Sequence, residues 1–306
     1  MVRYESDGPI EESLLSDRPF TTMDNSFGED AQRFVPGEQL ETAINTAIAL
    51  GEPLLITGEP GTGKTQAAYY AAYKLGIEPV IHFQVKSDSS AGDLLYYFDS
   101  VRYFYDASIA AKSEGTERVQ IDKSNYVEPR ALWEAISSSR PRVLLIDEID
   151  KAPRDFPNDL LHELDKMEFM IAETRQVIST PKNNRPIVFI TSNSERRLPE
   201  PFLRRCIYHH IRFDDDIVSK AVEKRAAEYS NLSPDFLKMA MKRFLALRDR
   251  NLRKRPSTGE LLVWLRVLAL TVGTYPERLD SNLSKLPYLG VLLKDHQDIE
   301  ELSTQT

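Results

Sequence analysis

Leu54 to Thr65, LLITGEPGTGKT, constrains this chain more than any other stretch. Leu54, Leu55 and Ile56 form a short apolar run suited to a strand buried on both faces, which breaks at Gly58 into a glycine-rich turn ending in Lys64 and Thr65. The spacing of Gly58, Gly63, Lys64 and Thr65 satisfies a phosphate-loop pattern. In it, backbone N–H groups cradle phosphates, a lysine reaches the β and γ oxygens, and a hydroxyl holds Mg²⁺. The pattern needs a strand before it and a helix after it. Gln66 to Leu75 supplies the helix, with Ala67, Ala68, Ala71, Ala72 and Leu75 on one small apolar face and Gly76 as its stop. The plainer alternative is a glycine turn that joins strand to helix and holds no ligand.

The chain has 306 residues, 41% hydrophobic and 28% charged, which is a globular composition long enough for one large or two ordinary domains. Its formal net charge of -8 opposes a whole-protein attraction to nucleic acid or anionic membrane, while leaving room for a local basic patch. Cys206 is the one cysteine, so no intramolecular disulfide can form. The opening MVRYESDGPIEESLL has no apolar signal core, and no later stretch approaches membrane-spanning length, so a cytoplasmic address without membrane insertion is expected.

Residues 1 to about 30 are polar and acidic and read as a mostly irregular arm. A turn at Phe34 to Gly37 leads into a helix over Glu38 to Leu50, where Leu40, Ala43, Ile44, Ala47 and Ile48 recur at helical spacing before Gly51. Val80 to Phe83 reads as a second strand, with polar Gln84, Lys86, Ser87 and Asp88 beyond its tip, where α/β sheets place functional groups. The aromatic segment Tyr96, Tyr97, Phe98, Tyr103, Phe104 and Tyr105 is either a packed local hairpin or helix, or an insertion facing a partner or pore. Residues 113 to 126 read as a loop, and Pro129 as the start of a helix through Leu132, Trp133 and Ile136.

Arg142 to Ile146 makes the third strand, and its tip carries Asp147-Glu148-Ile149-Asp150. With a phosphate loop upstream, a carboxylate at this tip orders Mg²⁺, and the adjacent Glu can orient and deprotonate the attacking water; alone, the segment is an acidic turn. Leu160, Leu161, Leu164 and Met167 line one helix face, and Phe169 to Thr180 reads as a β-hairpin with a charged tip. A fourth strand, Ile187 to Ile190, ends in Thr191-Ser192-Asn193, whose amide suits either a γ-phosphate or lytic water, or a turn cap. Leu198 to Cys206, LPEPFLRRC, ends in Arg204 and Arg205, whose guanidinium forks suit transition-state phosphate oxygens or a plain salt-bridging pair. His209 and His210 lie in a fifth strand, Ile207 to Ile211, without Cys or His partners at ligand spacing, so packed or surface roles are expected.

After Arg212 to Asp216 the pattern is helical throughout, clearest over Ile217 to Tyr229, Pro234 to Asp249 and Thr258 to Val272. The run Arg248 to Arg255, RDRNLRKR, admits three readings: a nucleic-acid patch, a solvated connection, or a source of one cation turned back at the nucleotide. A further helix fits Leu286 to Leu293, and the acidic tail 294 to 306 reads as frayed.

The ordered set GEPGTGKT, LLIDEID, FITSN and LPEPFLRRC resembles the AAA+ ATPases, most closely the MoxR-like branch, over roughly residues 34 to 272. The resemblance implies a fold: a P-loop NTPase three-layer αβα domain with a five-stranded parallel sheet, plus a small C-terminal all-α lid. Domain limits follow as an N-terminal arm 1–33, a nucleotide-binding domain 34–213, a helical lid 214–294 and an acidic tail 295–306. By position, Gly58, Glu59, Pro60, Gly61, Thr62, Gly63, Lys64 and Thr65 look like Walker A, Asp147 and Glu148 like Walker B, and Asn193 like sensor 1. Arg205 rather than Arg204 stands where relatives place the arginine finger. Thr65 and Asp147 would hold Mg²⁺, Lys64 would bear phosphate charge, Glu148 would activate water, and Asn193 would position it. Where many relatives begin a lid helix with Ser-Pro-Arg, this chain has Pro256-Ser257-Thr258-Gly259; either Lys254 or Arg255 substitutes, or the lid couples to nucleotide differently.

The resemblance further implies ATP as the nucleotide and a homo-oligomeric ring, commonly of six subunits, with sites shared at the interfaces. The leading expectation is ATP-driven remodelling or assembly of a protein client, in a branch that often acts beside von Willebrand A domain proteins. The alternatives are a nucleic-acid-directed motor or loader, supported only by Arg248 to Arg255, and a slow nucleotide-gated switch in a defence or signalling complex.

Overall fold

The computed structural model describes residues 26–112, 121–193, 196–271, 279 and 282–304. The chain divides into an α/β unit, Pro36–Gly58 with Lys64–Ile211, and a helical unit made of the stretch up to Val35, Glu59–Gly63 and the chain from Arg212 onward.

Among the described residues, nine strands lie in the α/β unit: β1 (Leu54–Gly58), β2 (Ile81–Gln84), β3 (Tyr96–Phe98), β4 (Val127–Pro129), β5 (Val143–Asp147), β6 (Glu168–Met170), β7 (Val177–Ser179), β8 (Ile187–Ser192) and β9 (Ile207–Ile211). Five of them form one sheet in the order β2-β5-β8-β1-β9, and every neighbouring pair is parallel. Parallel strands need crossovers that cover the sheet, so its central strands are apolar on both sides. Accordingly β1 and β5 are buried along their whole length. This is the five-stranded, helix-flanked αβα arrangement expected from the sequence.

Two registers set the site. Gln84 at the end of β2 pairs with Asp147 at the end of β5, and Thr57 of β1 pairs with Ser192 of β8. Ile146 of β5 stands opposite Ile190 of β8, so the carboxyl ends of these four strands finish within about two residues of one another. The helix Lys64–Leu75 follows β1 and buries Ala67, Ala68, Ala71 and Ala72, small side chains that allow close approach to the sheet. The helix Glu38–Leu50 buries Leu40, Ile44 and Ala47 and stops at Gly51, whose φ of 68° suits a residue without Cβ.

In the aromatic segment a helix runs over Ser100–Lys112, but instead of forming a local hairpin β3 pairs antiparallel with β4, which lies beyond the segment, and Tyr97, Phe104 and Tyr105 are exposed. Residues 113–120 of the expected loop lie outside the described part. Its end is ordered differently from expectation, because Lys123–Tyr126 forms a 3₁₀ turn and Pro129 closes β4. The helix begins at Ala131 instead of Pro129, since the Arg130 N–H is held by the Leu95 carbonyl at 3.1 Å. The expected hairpin is present as β6 and β7.

The helical unit packs around Trp264, Tyr229 and Phe244, all fully buried, and Trp264 Nε1 donates to the Pro287 carbonyl at 2.8 Å. Its main helices are capped by their own sequence: Asp214 for Asp215–Glu223, Ser233 for Pro234–Arg248, and a Ser257/Glu260 capping box for Thr258–Leu270. The arm, read as mostly irregular over residues 1 to about 30, ends in a helix at Ser26–Arg33, anchored by Asp30 to Arg225 at 2.8 Å and Arg33 to Glu228 at 2.7 Å; residues 1–25 lie outside the described part. One expectation is corrected here. The tail read as frayed is helical over His296–Thr304. Its buried Asp298 accepts from the backbone N–H of Arg253 at 2.8 Å and of Lys254 at 3.1 Å, which ties the tail down.

Candidate functional site

The turn after β1 has the backbone shape that its glycines permit: φ is 149° at Gly58, 74° at Gly61 and 91° at Gly63. Thr62 Oγ1 donates to the Glu59 carbonyl at 2.8 Å and closes the loop on itself. Lys64 is buried, and its Nζ donates to the Gly58 carbonyl at 2.9 Å, so the ammonium is folded back over the loop.

Thr65 stands one residue into the next helix and donates from Oγ1 to Asp147 Oδ1 at 3.0 Å. Thr191 donates to the same carboxylate oxygen and also accepts from the Glu148 N–H at 2.8 Å, so one hydroxyl braces both acidic residues. His82 Nε2 lies 3.3 Å from Asp147 Oδ2, and its Nδ1 faces Tyr69 Oη at 3.1 Å. Burial opposes ionisation of Asp147. The hydrogen bonds from His82, Thr191 and Thr65 outweigh it and hold the carboxyl below the usual carboxylate range.

Glu148 occupies the left-handed region at φ 59° and ψ 50°, uncommon for a residue with a side chain and found where a site turns a group outward. Its carboxylate receives three donors: Gln84 Nε2 at 2.7 Å, Asn193 Nδ2 at 3.1 Å and Lys151 Nζ. The Asn193 amide is thus spent on Glu148, while its backbone N–H donates to Asp150 Oδ1 at 3.2 Å. Thr65, at the start of its helix, thus meets Asp147, and Asn193 meets Glu148, at the ends of β5 and β8, while Lys64 beside Thr65 faces the end of β1.

The arginines do not join them. Arg205 Nε donates to Asp165 Oδ2 at 2.6 Å and its Nη1 to the Pro201 carbonyl at 3.1 Å, and Arg204 pairs with Glu200. Within one protomer both are salt-bridged surface groups. His210 Nδ1 lies 2.9 Å from Thr57 Oγ1. Arg253, Lys254 and Arg255 are exposed, whereas Arg248 is buried and turned to Glu59 Oε2 at 3.0 Å. The first arginine of the basic run thus pairs with an acid of the phosphate loop, while its last three residues are exposed.

His82, Lys151 and Arg248 were not separately singled out by sequence. Lys151 carries a local signal, three residues after Glu148 on the same turn. His82 carries none, since its contact depends on β2 lying beside β5.

Two hard oxygens side by side, Thr65 Oγ1 and an Asp147 carboxylate held ionised, fit Mg²⁺, which takes few protein ligands and fills its octahedron with water and phosphate. Among the described residues, no cluster of three or more His, Cys, Asp or Glu could hold a metal, and no helix is long and apolar enough to cross a membrane.

A family model described as AAA domain (dynein-related subfamily) matches residues 53–206. No curated protein matches the chain. Among solved structures, the crystal structure of a "putative ATPase" from Cytophaga hutchinsonii matches at 15% identity and a TM-score of 0.41, covering 92% of this chain and 93% of that one. That backbone likeness is loose, and the sequence match carries the assignment.

Proposed function

Because the chain belongs to the AAA-domain family, dynein-related subfamily, we propose that it binds ATP at Gly58–Thr65 and hydrolyses it by in-line attack of water on the γ-phosphate. The observation that carries this reading is the Glu148 carboxylate held 3.1 Å from the Asn193 amide, one residue beyond the Asp147–Thr65 pair. Backbone N–H groups of the loop receive the phosphates. Lys64 exchanges the Gly58 carbonyl for a phosphate oxygen and takes up charge there. Thr65 and Asp147 would hold Mg²⁺, which when bound would supply positive charge to the phosphates. Glu148 accepts the proton of the attacking water, and Asn193 fixes the direction of the accepting oxygen.

We further infer a MoxR-like role from the resemblance of its motifs, and with it a homo-oligomeric ring, six subunits being common. Arg205 is exposed enough to exchange Asp165 for a neighbouring subunit's nucleotide. The work done would be remodelling or assembly of a protein client, of which a von Willebrand A domain protein is the first candidate.

ATP turnover measured against protein concentration, with mass on the same samples, tests this for wild type, Glu148→Gln and Arg205→Ala. Turnover per subunit that rises with assembly, and falls in both variants although they assemble, is the expected result. Concentration-independent turnover by a monomer, unaffected by Arg205→Ala, would overturn the shared site.

A further inference from the structure

An acid at the second position of an anion-binding loop is electrostatically awkward, because Glu59 places a negative charge beside the site where phosphates would gather. The structure contains a counterweight. Arg248, the last residue of the helix Pro234–Arg248, is only 8% exposed, and its Nη2 donates to Glu59 Oε2 at 3.0 Å. The same guanidinium donates from Nη1 to the Pro256 carbonyl and lies over the Phe213 ring, 3.6 Å from its centroid. A planar, permanently charged fork is suited to three such partners at once, and a lysine is not.

The arginine also reaches the middle of the loop by a second route. Pro256 precedes Ser257, the cap of the helix Thr258–Leu270, and a Cβ on Gly61 would fall 2.3 Å from Ser257 Oγ. One side chain thus fixes both the direction of the Glu59 carboxylate and the cap against which Gly61 rests. Beside them lies a cavity of about 600 Å³ bounded by Glu59, Pro60, Gly61, Lys254, Arg255 and Ser257, among others.

We propose that Arg248 is a positioning residue for nucleotide binding, which draws the Glu59 carboxylate out of the phosphate path and cancels its charge. The inference rests on the reading of Gly58–Thr65 as the nucleotide site. It differs from a purely structural role in one respect: harm done by removing Arg248 is undone by removing the charge that it balances.

The test is the dissociation constant for Mg²⁺ with a non-hydrolysable ATP analogue, at low and moderate salt. Arg248→Gln weakens binding about tenfold at low salt and less at high salt, as expected for an uncompensated neighbouring charge. Adding Glu59→Gln to Arg248→Gln restores affinity to within about threefold of wild type. Unchanged binding in Arg248→Gln, or a double variant no better than the single one, overturns the proposal. If Arg248→Gln does not fold, Arg248→Lys replaces it, with a smaller loss that Glu59→Gln again reverses; failure to reverse it counts equally against the proposal. A wild-type protein that binds no nucleotide overturns the parent reading, and this one with it, and is recognised before any variant is made.

Discussion

Asn193 Nδ2 lies 3.1 Å from Glu148 Oε1, joining the tip of β8 to the residue just past β5. Two groups that act on one water lose their effect together, not in sum. Glu148→Gln is expected to lower turnover by about 10² to 10⁴ while nucleotide binding persists. Asn193→Ala should lower it about tenfold to a hundredfold, chiefly in kcat. Placing Asn193→Ala on Glu148→Gln should add little, which single-turnover measurements on all three proteins can check; additive losses would separate the two residues.

Thr65 Oγ1 and Asp147 form the oxygen pair assigned to Mg²⁺. Thr65→Ala should raise the Mg²⁺ concentration for half-maximal turnover by about tenfold or more, and Thr65→Ser should restore most of it. Removal of Mg²⁺ with a chelator should abolish wild-type turnover.

Gly61 combines φ of 74° with contact against Ser257, where an added Cβ would meet Oγ at 2.3 Å. Gly61→Ala is therefore expected to cost about 1–3 kcal/mol of stability, seen as a melting temperature several degrees lower. Ser257→Gly in the same background should recover part of the loss by clearing the clash, although it removes the helix cap.

Glu228 sets an acid dependence. Burial pushes its carboxyl upward, but Arg266, which donates from Nε, and the charges of Arg225 and Arg33 outweigh that and hold it below the usual range. A depressed folded-state value contributes stability above the unfolded value of about 4.3, and the contribution is lost as pH falls through the folded value. Urea unfolding of wild type and Glu228→Gln should differ most near neutral pH and converge below about pH 4. A constant gap across that range would contradict the assignment.

Cys206 should be inert in the folded protein. Burial, with the nearby carboxylates of Glu52 and Asp165, pushes its thiol up to about 12. The thiolate is the reactive form, so alkylation at pH 8 should be slow in native buffer and fast in denaturant. Rapid native labelling would mean that the site opens.

The sheet was legible because strands covered on both faces read as unbroken apolar runs, as in Val143 to Ile146 before Asp147. The polar residues at the strand tips stood out against those runs, and Lys64, Thr65, Asp147, Glu148 and Asn193 could be named before any fold was known. What stayed hidden depends on contacts distant in sequence. His82 reaches Asp147 only because β2 pairs with β5. Arg248 opens the mixed basic stretch RDRNLRKR, whose letters do not mark it out from its other arginines, and burial against Phe213 and Glu59 distinguishes it. The helices at Ser26–Arg33 and His296–Thr304 are short and polar. Tertiary anchors such as Ala31, Asp298 and Leu302 hold them, and local propensity does not.

Residues 59–63 touch Phe34, Arg248 and Ser257, none of which lies between Pro36 and Ile211. A fragment spanning 36–211 would keep every strand of the sheet and the unaltered GEPGTGKT motif, yet lose all three neighbours. Exchanging helical segments between homologues would likewise alter this loop while leaving its letters intact. In this chain the motif is not a portable cassette, because residues that shape it lie outside the segment that carries its letters.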